Sequence, residues 1–205
     1  MIYDTQALKN IYSNYTNVNQ KVSLDTKNKK ITRIKRGLYS DDIIVDSPVI
    51  SNVCRTPSYL SFEYALCYYG LIPEYVSVYT SATYGKKNNK SFILEEVSFI
   101  YKSIPKEVFS KGITFLENEN NIKYKIATKE KALCDQLYSK YPVRSIKEIK
   151  IMLFDDLRID IEELKKLDFE FIFSIANLYH SNTVNTFVKY LKEELLKWYQ
   201  QLMKW

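Results

Sequence analysis

The spacing of apolar residues at the start of the chain predicts two short helices. In the stretch DTQALKNIYS, Leu8 and Ile11 lie on one face of a helix that Asp4 or Thr5 can cap. The later stretch TNVNQKVSLDTKNK has apolar residues at positions 18, 22 and 24 among polar ones, and it predicts a second helix. The polar side chains of this second helix are of the kinds that hydrogen-bond to base edges in DNA.

The next stretch, ITRIKRGLY at residues 31–39, combines β-branched and basic residues and predicts a strand. With a period of two, Ile34 and Leu38 face the core, whereas Arg33 and Lys35 point outward. Arg36 falls on the apolar side and departs from this alternation. Two short helices followed by a basic strand pair predict a small winged helix-turn-helix module over residues 1–45.

Residues 46–205 are predicted to form a second, larger domain. Its pattern indicates helices in PVISNVCR, SFEYALCYYG and ATKEKALCDQLYSK, and a strand in EYVSVYTSATYG. Hairpins are indicated in KSFILEEVSFIYKSI, turning near Glu95 and Glu96, and in ITFLENENNIKYKIA, while the chain from Ser145 onward is helical by pattern. The predicted fold class is α/β (α+β), in which the small N-terminal module packs on a mixed domain with an antiparallel sheet and a helical C-terminal part.

Composition limits the chemistry that the chain can perform. Of 205 residues, 46% are hydrophobic and 15% aromatic, which is typical of a folded globular protein. A single histidine, His180, and four glycines argue against a zinc site and a phosphate-binding glycine loop, so we expect no metal and no cofactor. No signal peptide and no bilayer-spanning segment is apparent in the sequence, which predicts a cytoplasmic location without membrane association.

The positive charge is concentrated in one short stretch. The chain carries a net charge of +6, and residues 21–36 contain seven basic residues and one acidic residue, Asp25. Acidic and basic residues are balanced in number over the rest of the chain, so the whole excess lies in this stretch. A solvated lysine-rich turn is one interpretation, but so localised a patch favours binding to a polyanion such as DNA.

Four motifs in order resemble the AbiEi family of abortive-infection antitoxins, which are transcriptional regulators of bacteria and their mobile elements. They are RIKRGLY, PSYLSFEYALCYYGLIPE, TSATYGK and IATKEKALCDQLY, and together they span roughly the first two thirds of the chain. The resemblance implies a winged helix-turn-helix joined to an antitoxin domain, here residues 46–205. The N-terminal module is shorter than in fuller members, with a middle helix abbreviated or missing.

The resemblance also implies a function in phage defence. Family members bind inverted repeats in their own promoter and repress a type IV toxin–antitoxin operon. They counteract a nucleotidyltransferase-like toxin without forming a stable complex with it. By position, the DNA-reading helix falls at residues 17–27 and the wing at residues 29–39, so the expected partner is promoter DNA.

The candidate DNA-binding residues combine this placement with residue type. Polar residues of the second helix are expected to read bases, and basic residues of the helix end and wing are expected to contact phosphates. The set comprises Asn17, Asn19, Gln20, Lys21, Ser23, Thr26, Lys27, Lys29, Lys30, Arg33, Lys35 and Arg36.

Two other functions remain open from the sequence. Glu130, Lys131 and Asp135 are residue types that occur in the active sites of nucleic-acid-processing enzymes. The favoured interpretation is structural, with Glu130 stabilising the start of its helix and Lys131 pairing with Asp135. We therefore expect no enzymatic activity. The third possibility is a protein that inhibits the toxin by binding it directly.

Tyrosines are dense between positions 59 and 84. They indicate residues at the edge of the core or, alternatively, a surface on which RNA bases stack.

Overall fold

A computed structural model describes residues 1–41, 46–85, 89–94 and 96–202. The chain folds as a mixed α/β protein with a small antiparallel sheet, a larger mixed sheet and a helical C-terminal part, which confirms the predicted fold class. The predicted boundary between residues 45 and 46 adjoins a segment outside the described residues. Glu95, expected in a hairpin turn, also lies outside them.

The N-terminal module is built from two helices and three strands. In chain order these are β1 (Ile2–Asp4), α1 (Thr5–Ile11), α2 (Val18–Lys27), β2 (Thr32–Lys35) and β3 (Leu38–Ser40). Both helices begin at capping side chains, because Asp4 accepts a hydrogen bond from the Ala7 amide at 2.7 Å and Asn17 accepts one from the Gln20 amide at 3.0 Å. The module thus contains two helices joined by residues 12–17 and a small antiparallel sheet, which we call the wing.

The wing contains three antiparallel strands in the order β1-β3-β2, one more than the sequence predicted. Strand β1 pairs with β3 but is only three residues long, too short to show an alternating pattern. Ile34 is buried as predicted, and Arg33 and Lys35 are exposed. Arg36 is exposed too, because β2 ends at Lys35 and Arg36 lies in the turn before β3, where the strand alternation no longer applies.

The larger sheet has six strands in the order β6-β7-β5-β4-β9-β8. The predicted hairpins are present as the antiparallel pairs β6–β7 and β8–β9, and β4 and β5 are also antiparallel. Parallel pairing of β5 with β7 and of β4 with β9 joins these units into one mixed sheet. The strands are β4 (Tyr59–Leu60), β5 (Tyr79–Thr83), β6 (Lys90–Leu94), β7 (Val97–Ser103), β8 (Ile113–Glu117) and β9 (Lys123–Ala127).

Helices flank this sheet and form the C-terminal part. They are α3 (Ser47–Cys54), α4 (Phe62–Tyr68), α5 (Lys106–Phe109), α6 (Lys129–Ser139), α7 (Ile146–Lys150), α8 (Ile161–Lys165), α9 (Phe169–Ala176) and α10 (Asn182–Leu202). A π-helical segment, Ile151–Asp156, continues α7. Helix α6 lies at the centre, and its residues 130–137 are all buried. Of the helices that the structure describes, none combines the length and apolar character needed to span a bilayer.

The N-terminal module packs on the larger domain through a small apolar cluster. Ile34 of the wing lies with Ile50 and Cys54 of α3 and with Phe99 and Tyr101 of β7. An isolated module of this size buries a small core, so contact with the larger domain supplies part of its stability. The wing is therefore anchored at its buried face, and its opposite face stays in solvent.

Candidate nucleic-acid interface

Helix α2 presents a polar face to solvent. Asn19, Gln20, Ser23 and Lys27 are exposed, whereas Asp25 on the opposite side is buried. The exposed side chains make no hydrogen bond or ion pair with any residue in the described ranges. Amide and hydroxyl groups displayed in this way can donate to and accept from base edges.

Lys21 was predicted to contact DNA, but the structure gives it partners inside the module. Its amine donates to Asp25 Oδ1 at 2.9 Å and lies 4.9 Å from the centre of the Tyr15 ring. The hydrogen bond raises the pKa of Lys21 and lowers that of Asp25. Lys21 therefore holds the helix against the aromatic residues that follow α1.

Three further predicted residues also have structural partners. The side chain of Asn17 caps α2, and the hydroxyl of Thr26 donates to the carbonyl of Val22 at 2.8 Å. The amine of Lys35 donates to the carbonyl of Cys54 in α3, so it links the wing to the larger domain. The partners of Asn17 and Thr26 lie within one helical turn, so a capping signal in the sequence could have assigned Asn17. The contact between Lys35 and Cys54 spans 19 positions and is seen only in the folded chain.

The remaining basic residues of the predicted set are exposed, and two of them, Lys27 and Arg33, line a common groove. Lys27 ends α2, Lys29 and Lys30 lie in the turn before the wing, and Arg33 and Arg36 belong to the wing. All five are exposed, and none forms an ion pair with another residue of the described part of the chain. We call these five residues the cationic surface. Exposed lysine and arginine side chains of this kind can bind phosphate groups.

A groove of about 410 Å³ lies between α1, α2 and the wing. Leu8, Val18 and Val22 contribute its apolar side chains, and polar and basic residues surround them. The groove brings together Asn19, Ser23, Thr26, Lys27 and Arg33 from the predicted set, with Thr5, Lys9 and Tyr39 added by the fold. Lys9 follows Leu8 in α1, and its position at the groove is seen only in the folded chain.

Helix α6 holds a buried polar cluster. The amine of Lys131 contacts Asp135 Oδ1, and neither side chain reaches solvent. Asp135 also accepts hydrogen bonds from the hydroxyls of Tyr59 at 3.0 Å, Ser61 at 2.7 Å and Tyr179 at 2.7 Å. Burial raises the pKa values of both tyrosines, and the negative charge of Asp135 adds to the rise.

The cluster has the geometry of a structural ion pair. Lys131 and Asp135 lie one helical turn apart, as the sequence predicted, and every contact of the Asp135 carboxylate is to a side chain from within the fold. Glu130, the other candidate, accepts a hydrogen bond from the Asp168 amide at 3.2 Å and thus supports the start of α9. No group of three or more potential metal ligands occurs among the described residues.

Comparison with protein-family models returns no match, and comparison with curated proteins returns none either. Membership of the AbiEi family therefore stays a prediction from the four motifs in the sequence.

Proposed function

We propose that the protein is an antitoxin and transcriptional autoregulator that binds inverted repeats in the promoter of its own toxin–antitoxin operon. The observation that carries the proposal is the cationic surface, which adjoins the polar face of α2 within a helix-turn-helix. A protein that binds an operon promoter in bacteria works in the cytoplasm. The same protein counteracts a nucleotidyltransferase-like toxin without a stable complex, as the motif resemblance implies.

The dimensions of α2 suit a major groove. The helix has ten residues and is about 15 Å long, and its exposed face carries Asn19, Gln20 and Ser23. When these side chains approach base edges, Lys27 and the wing lie on the flanking backbone. Base reading is thus assigned to the polar face of α2 and phosphate binding to the cationic surface.

The buried cluster on α6 supports a structural role for Glu130, Lys131 and Asp135 over the alternative of a nucleic-acid-processing enzyme. A catalytic group has to touch its substrate. Lys131 and Asp135 have no exposed surface, and Glu130 is buried. The proposal accordingly assigns the antitoxin no catalytic step.

A promoter–reporter strain tests the regulatory part of the proposal. The wild-type protein should repress the reporter, and Arg33→Ala/Arg36→Ala should relieve repression because two phosphate contacts are lost. The matched control is Lys111→Ala/Lys147→Ala, which removes the same charge from exposed positions outside the N-terminal module and should repress normally. Equal repression by both double variants would contradict the assignment.

A growth assay tests the antitoxin part. The protein is co-expressed with the nucleotidyltransferase-like gene of its operon, and we expect growth to be restored. Affinity purification from the same cells distinguishes the two modes of antagonism. Growth restored without co-purification agrees with the proposal, whereas stoichiometric co-purification supports the alternative of a direct toxin-binding inhibitor.

A further inference from the structure

Four tyrosines line a groove of about 400 Å³ on the larger domain, far along the chain from the cationic surface. Tyr64 and Tyr68 come from α4, Tyr75 from the following loop, and Tyr79 from the start of β5. Tyr75 is 91% exposed and Tyr68 is 51% exposed. Two rings thus stand in solvent beside two rings that are half buried.

The inner rings of this groove are held by neighbouring aromatic residues. The ring centres of Tyr64 and Tyr79 are 4.8 Å apart, and Tyr79 stacks on Phe99 at 5.4 Å. Phe99 in turn stacks on Phe92 at 4.7 Å. A ligand that rests on Tyr64 and Tyr79 therefore meets a rigid surface, which lowers the entropy cost of binding.

The groove is lined by a carboxylate, although the chain as a whole is basic. Glu96, exposed in the turn immediately before β7, is the only charged residue that lines the groove among the described residues. Asp46 lies close enough that, after burial, its negative charge contributes to raising the pKa of Tyr79. Aromatic ring faces are also electronegative, so the faces of these rings and the Glu96 carboxylate favour a cation.

We propose that this groove binds an arginine side chain presented by an exposed segment of a partner protein. A guanidinium group can stack on an aromatic ring and also donate two parallel hydrogen bonds to a carboxylate, and the groove offers both in the tyrosine rings and Glu96. A lysine amine lacks the planar fork, so it fits less well. The phosphates of RNA are repelled by Glu96, which disfavours the base-stacking interpretation of these tyrosines.

A labelled peptide tests the proposal with the full-length protein. The probe is a fluorescein-labelled GSGRGSGRGSG peptide, and the matched probes carry lysine or the uncharged isostere citrulline at both arginine positions. We expect the arginine peptide to bind most tightly, and Tyr75→Ala and Glu96→Gln each to weaken its binding by about two- to fivefold. Both changes are at exposed positions, so the fold should be unaffected.

The control is Tyr15→Ala, which removes a tyrosine of the N-terminal module that is 51% exposed, as Tyr68 is, and should leave peptide binding unchanged. Equal affinity for the arginine and citrulline peptides would overturn the proposal, as would affinity that neither Tyr75→Ala nor Glu96→Gln alters. A second arm uses a labelled single-stranded uridine oligonucleotide. If Tyr75→Ala weakens binding of that oligonucleotide, the groove is a nucleic-acid surface and the proposal fails.

Discussion

The amine of Lys131 lies against the carboxylate of Asp135 in α6, with both side chains fully enclosed by the protein. The two buried charges are tolerated because each side chain has further partners. Asp135 accepts hydrogen bonds from three hydroxyl groups, and the amine of Lys131 lies 2.8 Å from the hydroxyl of Tyr179. The pair thereby ties α6 to the first strand of the larger sheet and to the turn before α10.

Removal of one partner of this pair should be strongly destabilising. We expect Lys131→Met to lower the free energy of unfolding by about 3 to 5 kcal/mol, because Asp135 is left as a buried charge without its counter-ion. The control is Lys123→Met, which breaks the exposed pair with Glu117 and should cost about 1 kcal/mol or less. Urea unfolding followed by circular dichroism measures both. Similar costs for the two variants would show that the buried pair has no special role.

Asp25 should make the stability of the protein dependent on pH in the acid range. Its hydrogen bond with Lys21 lowers the pKa of Asp25 below the ordinary value of 3.8. A carboxyl group whose pKa is lower in the folded than in the unfolded state stabilises the fold above the unfolded value, and this contribution is lost as the pH falls through the folded value. We therefore expect stability to decrease on acidification below about pH 4.

The Asp25→Asn variant should lose that part of the pH dependence. Thermal unfolding between about pH 2 and about pH 7 measures it, with Asp155→Asn, a change at an exposed carboxyl group, as the control. If Asp25→Asn and wild type show the same decrease on acidification, the ion pair with Lys21 does not contribute to stability.

Asn17 and Asn19 are near neighbours with different expected roles. Asn17→Ala removes the cap of α2 and should lower stability by about 0.5 to 2 kcal/mol. Asn19→Ala should leave stability almost unchanged and reduce discrimination between the operator and a base-substituted operator, by about 1 to 3 kcal/mol for a lost base contact. Urea unfolding and competition binding separate the two effects. Loss of discrimination without loss of stability in Asn17→Ala would reverse these roles.

The sequence predicts the N-terminal helices well because their signals are local. The cap of α1 at Asp4 lies within one turn of the apolar residues of that helix, so a short window contains the whole pattern. Strands β1 and β4 were missed because strands of three and two residues carry no periodicity. Hydrogen bonds to neighbouring strands hold these two short strands in place: β1 pairs with β3, and β4 pairs with β5 and β9.

Contacts between distant residues are the part that the sequence could not show. Lys131 and Asp135 are four positions apart and were paired correctly, whereas the hydroxyl groups that satisfy Asp135 come from residues 44 to 76 positions away. Likewise, nothing in ITRIKRGLY indicates that Lys35 reaches the carbonyl of Cys54 while Arg33 stays in solvent. The residue types predicted a cationic region, and the fold determines which of its charged side chains stay in solvent, where they can contact DNA.

The salt dependence of operator binding tests the central claim most directly. If the five residues of the cationic surface each neutralise one phosphate, the logarithm of affinity should fall against the logarithm of salt concentration with a slope of about −4.5. Arg33→Ala/Arg36→Ala should reduce the slope to about −2.7, since three contacts remain. Lys35→Ala should leave it unchanged, because that amine is held by Cys54. A wild-type slope near zero in a fluorescence anisotropy titration with promoter DNA would contradict the account.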